Sequence, residues 1–166
     1  VLSSERAGGA GKVTFAYTGG SASVTTHVAP GVSSTRTHTF QTVYGVPRND
    51  AVSGPACPGC GPASQGFDAN GNVTFRTDWN ENRTNFTHDT ARNLETSRTE
   101  GLTAAGASTP QTRTITTEWH PAFRLVKRMA EPLRITTHVY NGDGGTSCGF
   151  LANGSTPVPG VLCSKT

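Results

Sequence analysis

The second half of the chain repeats a short pattern of residues at a spacing of 21 positions. Phe67-Asp68 opens a stretch that His88-Asp89 opens again 21 residues later, and an Arg-Thr pair follows each of them. Trp119-His120 and Tyr140-Asn141 mark two further copies, also 21 residues apart. A fixed period of this length is typical of an array, in which each unit buries its apolar face only against its neighbours. We therefore expect a repetitive architecture.

Each repeat is predicted to be about one β-hairpin. Asn70-Gly71 can supply the positive φ angles of a tight turn, and Asp68 can accept hydrogen bonds from nearby backbone amides. Val73–Thr77 then leaves the turn as a strand with alternate residues on one face. The interval between His88 and Trp119 is ten residues longer than a repeat, and we expect a loop at 101–110 to absorb the excess. The aromatic residues expected to stack as a buried row are Phe67, Phe86, Trp119 and Tyr140.

The composition indicates strands and turns throughout. Hydrophobic residues make up 33% of the 166 residues and charged residues only 15%, while 20 Gly and 10 Pro favour frequent turns. Thr is abundant, and its β-branched side chain suits a pleated, half-buried surface. A net charge of +3 is too small for disorder driven by charge. The predicted fold class is all-β, with antiparallel β-hairpin repeats stacked into a curved sheet or shell that has a thin apolar layer.

Turn signals divide the chain into four segments. Residues 1–46 are predicted to form N-terminal hairpin strands, and residues 47–66 an irregular loop rich in Gly, Pro and Cys. Residues 67–145 carry the repeats, and residues 146–166 form a C-terminal loop bridged by cysteines. We expect the chain to be a fragment of a longer protein, because it starts without Met.

The four cysteines fall into two local pairs, Cys57 with Cys60 and Cys148 with Cys163. Disulfides in an oxidising compartment are the favoured interpretation, and a Cys148–Cys163 bridge that closes a loop is the stronger of the two predictions. Cys57 and Cys60 either bridge each other or stay unbridged. Free thiols and a zinc site are the alternatives, although the wide spacing of the second pair is unusual for zinc.

The sequence contains no arrangement of residues that indicates catalysis or metal binding. The five His lie singly, and Asp68, Asp78 and Asp89 occupy polar, turn-like sequence. Turn capping explains these carboxylates better than calcium binding or acid–base chemistry. The 14 Lys and Arg form no run of like charge, so neither nucleic acid nor a membrane is an expected partner. We expect no catalytic residue, no metal and no cofactor.

The repeat pattern resembles the YD or Rhs repeat of bacterial proteins. Phe67-Asp68 and His88-Asp89 stand where that family has Tyr-Asp. Gly71-Asn72 and Arg92-Asn93 stand where it has Gly-Asn or Gly-Arg. The resemblance covers residues 67–140. No copy keeps an intact Tyr-Asp pair, and the two later copies lack the Asp.

The resemblance implies a biological role as well as a fold. Rhs and YD-repeat proteins wind long ribbons of antiparallel strands into hollow shells that often enclose a toxin or other cargo, and they are exported or displayed at the cell surface. For this chain the resemblance implies a structural, non-enzymatic segment of such a protein. The implied repeat-motif residues are Phe67, Asp68, Gly71, Asn72, His88, Asp89, Trp119 and Tyr140.

The implied partners are neighbouring repeats of the parent protein, other copies of the chain, or an enclosed cargo. Because unpaired strand edges invite pairing, we expect the isolated chain to assemble into a filament or tube. The alternative function is a glycan-binding or adhesion module at the cell surface, which would use an exposed Trp79 or Trp119.

Overall fold

A computed structural model describes residues 2–7, 11–29, 31–57, 59, 61–151, 154 and 158–166. Each strand is hydrogen-bonded to the next along the chain in one 13-stranded sheet, and every strand pair whose register is resolved is antiparallel. The prediction of an all-β, antiparallel fold is confirmed. One 3-10 turn lies at Asp143–Gly145. The strands are β1 (Leu2–Ser4), β2 (Val13–Thr18), β3 (Ser21–Ala29), β4 (Val32–Val43), β5 (Val46–Ser53), β6 (Ser64–Phe67), β7 (Val73–Thr77), β8 (Arg83–Asp89), β9 (Leu94–Leu102), β10 (Ser108–Trp119), β11 (Val126–Glu131), β12 (Arg134–Tyr140) and β13 (Leu162–Lys165).

The chain divides into two compact units. The first unit comprises Val1–Asn85 with Leu102–Ala107, and the second comprises Phe86–Gly101 with Ser108–Thr166. Both units use the same construction, in which a strand turns back and pairs with the strand that precedes it.

In the first unit, β4 and β5 form a hairpin that the sequence did not suggest. Tyr44 and Gly45 connect the strands with φ angles of 52° and 73°, which is the geometry of a tight hairpin turn. Pro47 pairs with Thr42 in the resulting ladder. The segment 47–66, expected to be an irregular loop, therefore contains most of β5 and the start of β6. The turn returns the chain onto the long β4, and this pairing overrides the local effect of proline.

Three strands of the first unit are locked together by a glycine, an aromatic ring and an arginine. Gly66 on β6 lies opposite Phe75 on β7, and the ring covers the glycine so closely that an added Cβ would lie 2.4 Å from Phe75 Cε1. The Arg83 guanidinium on β8 lies 4.0 Å from the centre of the same ring. Covering a strand glycine with a cross-strand aromatic, and the ring with a cation, stabilises the pairing of all three strands.

Replacing Gly66 by alanine tests this arrangement. We expect Gly66→Ala to displace the Phe75 ring and lower the free energy of unfolding by about 1–3 kcal/mol, as overpacking usually does. Gly19→Ala is the matched control, because a Cβ there meets nothing within 4 Å and Gly19 is not among the residues with positive φ. Denaturant unfolding of both variants gives the comparison, and equal effects would contradict the proposed lock.

In the second unit the long strands β9 and β10 account for the irregular spacing of the repeats. They contain 9 and 12 residues, and the turn between them runs only from 103 to 107. Longer strands, rather than a loop over 101–110, therefore take up the extra residues between His88 and Trp119. Gly101 permits the close approach of the two strands, because a Cβ there would lie 2.6 Å from the Gln111 carbonyl oxygen.

The buried apolar residues are few in both units, in agreement with the predicted thin apolar layer. No side chain in the described part of the chain is less than 2% exposed. The buried hydrophobic residues are Val43, Val52 and Leu102 in the first unit, and Leu94, Ile115 and Tyr140 in the second.

The predicted row of stacked aromatic residues is wrong for the second unit. Among the described residues, its ring contacts join Tyr140 to His120 and His138, and His120 to Phe123, and neither Phe86 nor Trp119 enters a ring stack. Trp119 instead directs its indole N–H to the backbone carbonyl oxygen of Glu95, at 2.6 Å. In the first unit, Phe67 lies under the Arg48 guanidinium at 5.5 Å.

Candidate functional site

The turn between β6 and β7 is organised by one carboxylate. Asp68 Oδ1 accepts the backbone N–H groups of Asn70 at 2.9 Å and of Asn72 at 2.8 Å, and Oδ2 accepts the Asn72 side-chain amide at 2.9 Å. The predicted role of Asp68 is therefore confirmed. The positive φ angle belongs to Gly71 alone, at 78°, and Asn70 contributes its N–H instead.

The turn between β7 and β8 copies this arrangement, although the 21-residue period passes over it. Asp78 Oδ1 accepts the N–H groups of Asn80 at 2.9 Å and of Asn82 at 2.8 Å, and Glu81 takes the positive φ, at 65°. The sequence signal is the pattern Asp-x-Asn-x-Asn, which occurs at 68–72 and again at 78–82. The period of 21 misses it because successive turns of an antiparallel sheet lie at opposite edges.

Other turns also begin with a side-chain acceptor, which is a carboxylate, a hydroxyl or an imidazole nitrogen. Asp89 Oδ1 accepts the N–H groups of Ala91 and Arg92, at 3.0 and 3.3 Å. Thr103 Oγ1 accepts the N–H of Ala107 at 3.1 Å. His120 Nδ1 accepts the N–H groups of Ala122 and Phe123, at 3.1 and 3.2 Å. The imidazole nitrogen thus takes the role that the missing Asp has in the earlier copies.

The four repeat markers occupy equivalent places in the fold. Phe67 ends β6, His88-Asp89 ends β8, Trp119 ends β10 and Tyr140 ends β12. Each repeat of 21 residues therefore corresponds to a pair of strands, and each marker stands where the first strand of a pair enters its turn. The predicted motif residues are distributed along the sheet and are not gathered into one pocket.

Side chains of the first unit also donate hydrogen bonds to carbonyl groups in nearby turns and loops. Arg48 Nη1 donates to the carbonyl oxygen of Gly71 at 3.2 Å. Trp79 Nε1 donates to the carbonyl oxygen of Gly61 at 3.1 Å. These contacts give hydrogen-bond partners to carbonyl groups that turns leave outside the strand ladders. We call such bonds turn clasps.

The second unit contains a reciprocal pair of turn clasps. Arg92 Nη2, after β8, donates to the carbonyl oxygen of Phe123 at 2.7 Å. Arg124 Nη2, after β10, donates to the carbonyl oxygen of Asn93 at 3.1 Å. Each of the two turns thus supplies one guanidinium and accepts the other. Arginine suits this role because its several N–H groups are held in a fixed plane.

His120 and Asp143 form a largely buried pair of polar side chains in the second unit. His120 Nε2 lies 3.0 Å from Asp143 Oδ1, and the two side chains are 11% and 18% exposed. Because Nδ1 accepts two backbone N–H groups, the ring hydrogen must lie on Nε2, which donates to Asp143. The ring also stacks on Phe123 at 4.8 Å between centroids and meets Tyr140 edge to face at 6.1 Å.

The charges of this group are set by hydrogen bonds and burial. The backbone N–H of Tyr140 lowers the pKa of Asp143 below its usual value, partial burial opposes this, and His120 and Lys127 add to the lowering. Burial, together with the Asp143 charge, raises the pKa of the Tyr140 hydroxyl. Asp143 is therefore held as the carboxylate, and Tyr140 as the neutral phenol that donates to the carbonyl oxygen of Val126 at 2.7 Å.

The His120–Asp143 pair differs from the pair that activates a nucleophile. In hydrolases the carboxylate holds one imidazole nitrogen and leaves the other free to accept a proton. Here both nitrogens of His120 are engaged, one by backbone amides and one by Asp143. The arrangement can hold the turn after β10 against the start of the C-terminal loop. Over the described residues, no group of three or more His, Cys, Asp or Glu side chains could hold a metal ion.

The C-terminal loop is organised by Asn141 and a disulfide. Asn141 is buried, and its side-chain amide donates to the carbonyl oxygens of Gly149 at 2.6 Å and Val158 at 2.9 Å. Its Oδ1 accepts the N–H of Cys148 at 3.1 Å. Cys148 and Cys163 form a disulfide with their Cα atoms 5.5 Å apart, which confirms the predicted bridge.

The first cysteine pair is described only in part. Cys57 is disulfide-bonded, and Cys60 lies outside the described residues. No described cysteine is a free thiol.

No model of a known protein family matches the chain, and no curated protein matches it. Among the described residues, the structure has no helix of the length and apolar character that crossing a membrane requires.

The turn carboxylates make stability depend on pH. Partial burial works against the charge of Asp78, but hydrogen bonds from the Asn82 side chain and from the Asn82 and Asn80 amides outweigh it and lower the pKa of Asp78 below 3.8. A carboxyl group with a lowered pKa stabilises the fold above its unfolded value and loses this effect as pH falls through the folded value. We expect acid unfolding, followed by circular dichroism between about pH 5 and pH 2, to be less steep in Asp78→Asn. A steeper acid transition would contradict this.

The position of the ring hydrogen of His120 provides a second test, of the proposed hydrogen bonds around this side chain. We expect nitrogen-15 NMR at about pH 8 to find the hydrogen on Nε2 and none on Nδ1. His120→Ala removes the acceptor of two amides and should lower the free energy of unfolding by about 1–2 kcal/mol more than His120→Asn, which keeps an acceptor oxygen. A hydrogen on Nδ1, or equal losses in the two variants, would contradict the assignment.

Proposed function

We propose that the chain is a structural β-repeat segment, part of the wall of a larger secreted or cell-surface protein of the Rhs or YD-repeat type. The observation that carries the proposal is the place of the four markers, each at the end of the first strand of a pair. The turns that follow β6, β8 and β10 begin with the side-chain acceptors Asp68, Asp89 and His120. This regularity supports a structural role for the repeated turns rather than a function carried out in a single binding pocket.

The distribution of apolar side chains supports a role among neighbouring repeats. Large apolar residues are strongly exposed in both units, including Tyr17 and Tyr44 in the first and Leu133 in the second. Units of a repeat array are stabilised largely by the interfaces with their neighbours. The proposed partners are accordingly further repeats of the same parent protein, other copies of the chain, or a toxin or other cargo enclosed by the wall.

Export to an oxidising compartment is part of the proposal. The Cys148–Cys163 disulfide supports it, since structural disulfides persist in extracellular and periplasmic proteins and are rare in the cytosol. Turn clasps and a disulfide suit a wall, because both hold loops in place without a thick apolar layer. No step of catalysis is included, and we propose a non-enzymatic role.

Deleting one complete repeat tests the proposal. Removal of residues 67–87 joins Gly66 to His88, so that the His88-Asp89 marker takes the place of Phe67-Asp68. The strands that follow keep their original directions. We expect the shortened chain to retain a β-sheet circular dichroism spectrum and a cooperative thermal transition at a lower temperature. Removal of residues 67–77 is the control, because it takes out a single strand, β7, and reverses every strand after it. Equal loss of cooperative folding in both deletions would contradict a wall of interchangeable repeats.

A glycan-binding or adhesion module is the second candidate. A recess of about 350 Å³ in the second unit is lined by Trp119 together with Glu95, Arg98 and Thr117, which is the mixture of aromatic and polar groups that sugars contact. Against this candidate, Trp79 and Trp119 are both partly buried, and both use the indole N–H to hold a backbone carbonyl group. Their rings are thus better suited to fixing turns and strands than to receiving a ligand.

A further inference from the structure

The edge of β10 extends beyond the strand that pairs with it. β10 contains 12 residues, Ser108–Trp119, and its register with β11 covers only Thr116 to Trp119. β11 ends at Glu131 and the chain turns back through Pro132 and Leu133. On that side of β10 the first eight residues therefore have no strand partner among the described residues.

A recess of about 540 Å³ lies at this step in the sheet. Thr112, Arg113 and Ile115 of β10 line one side, and the Glu131–Arg134 turn lines the other. Ile115 is only 4% exposed, whereas Leu133, at the tip of the turn, is fully exposed. The step thus presents an apolar side chain directly beside a free strand edge.

Charges of both signs surround the recess in equal number. Arg113 is paired with Glu100 at 2.7 Å, and Arg134 is paired with Glu131 at 2.6 Å. The two arginine side chains are 60% and 72% exposed, and the two glutamate side chains 25% and 28%. A partner of one charge sign gains little from such a surface, whereas a second copy of the same surface can match each group with its opposite.

We propose that two copies of the chain pair through the free edge of β10, antiparallel and about a two-fold axis. Alternating backbone donors and acceptors along a strand edge are matched only by another strand. A two-fold interface uses the same surface on both copies, which the mixed charges at the step permit. Pro110 has no N–H to donate, and the Gln111 N–H already donates to Thr109 Oγ1 at 3.1 Å, so Thr112–Ile115 carry the pairing. Leu133 of each copy packs against the other copy beside the edge.

This interface is separate from the proposed wall function. A wall requires contacts between repeats that follow one another along the chain, and β10 already makes those contacts with β9 and β11. The free edge of β10 adds a contact between copies, and either proposal can fail without the other.

Light scattering of the full, disulfide-oxidised chain tests the interface across a wide range of concentration. We expect the average mass to rise from that of a monomer to that of a dimer as the concentration increases. In Leu133→Lys the dissociation constant should be at least about tenfold larger, because the substitution brings like charges together across the two-fold axis. Val46→Lys is the control, because it also replaces an exposed apolar residue by lysine, at a 54% exposed position of the first unit. A monomer at every concentration, or equal weakening by the two substitutions, would overturn the proposal.

Hydrogen exchange provides a second measurement that does not depend on a variant. The amides within residues 112–115 that face the free edge should exchange more slowly as the dimer fraction increases, because they enter a new strand ladder. The amides of Val13, Thr14 and Phe15 in β2 serve as the internal reference, since these residues are paired with β1 on one side and β3 on the other. Dimer formation without a change in exchange at 112–115 would place the contact elsewhere and overturn the proposal.

Discussion

The hydrogen bond from turn amides to the first side chain of the turn is the interaction on which the sheet depends. A tight reversal leaves backbone N–H groups without ladder partners, and unsatisfied amides are costly. Asp68, Asp78, Asp89, Thr103 and His120 each supply an acceptor at that position. Because the acceptor fixes the shape of the turn, it also fixes where the returning strand begins and thus the register of the following pair. Carboxylate, hydroxyl and imidazole acceptors serve alike, so the geometry is kept while the sequence diverges.

The all-β fold and the marker spacing were predictable because both depend on local sequence. Turn residues and alternating polarity are visible without a structure, and Phe67 and Asp68 carry the turn signal in adjacent positions. The β4–β5 hairpin was not found, because Tyr44 is a rare choice for a positive φ angle and Pro47 argues against a strand. The role of His120 was missed because it depends on which ring nitrogen faces the backbone. The turn clasps were beyond prediction, since Arg92 and the Phe123 carbonyl group lie 31 residues apart.

In both units, contacts between individual side chains stabilise the sheet in place of a thick hydrophobic core. With few buried apolar residues, the fold relies on contacts that link adjacent turns and strands, such as the Gly66–Phe75–Arg83 lock and the Arg92 and Arg124 clasps. The His120–Asp143 pair belongs to the same group of contacts, although it has the composition of a catalytic dyad. Identification of such a pair as catalytic therefore requires a free ring nitrogen, which His120 lacks.

The order of the strands determines how such a chain can acquire its structure. Every strand pairs with its neighbours in sequence, so no strand has to wait for a distant segment to be synthesised. Chains dominated by short-range pairings fold quickly, because closing a short loop costs less entropy than closing a long one. The Cys148–Cys163 bridge is equally local, because its two cysteines are separated by only 15 positions in the sequence. The sheet can therefore grow one strand at a time, from the N-terminal side, as the polypeptide emerges from a ribosome or a translocation channel.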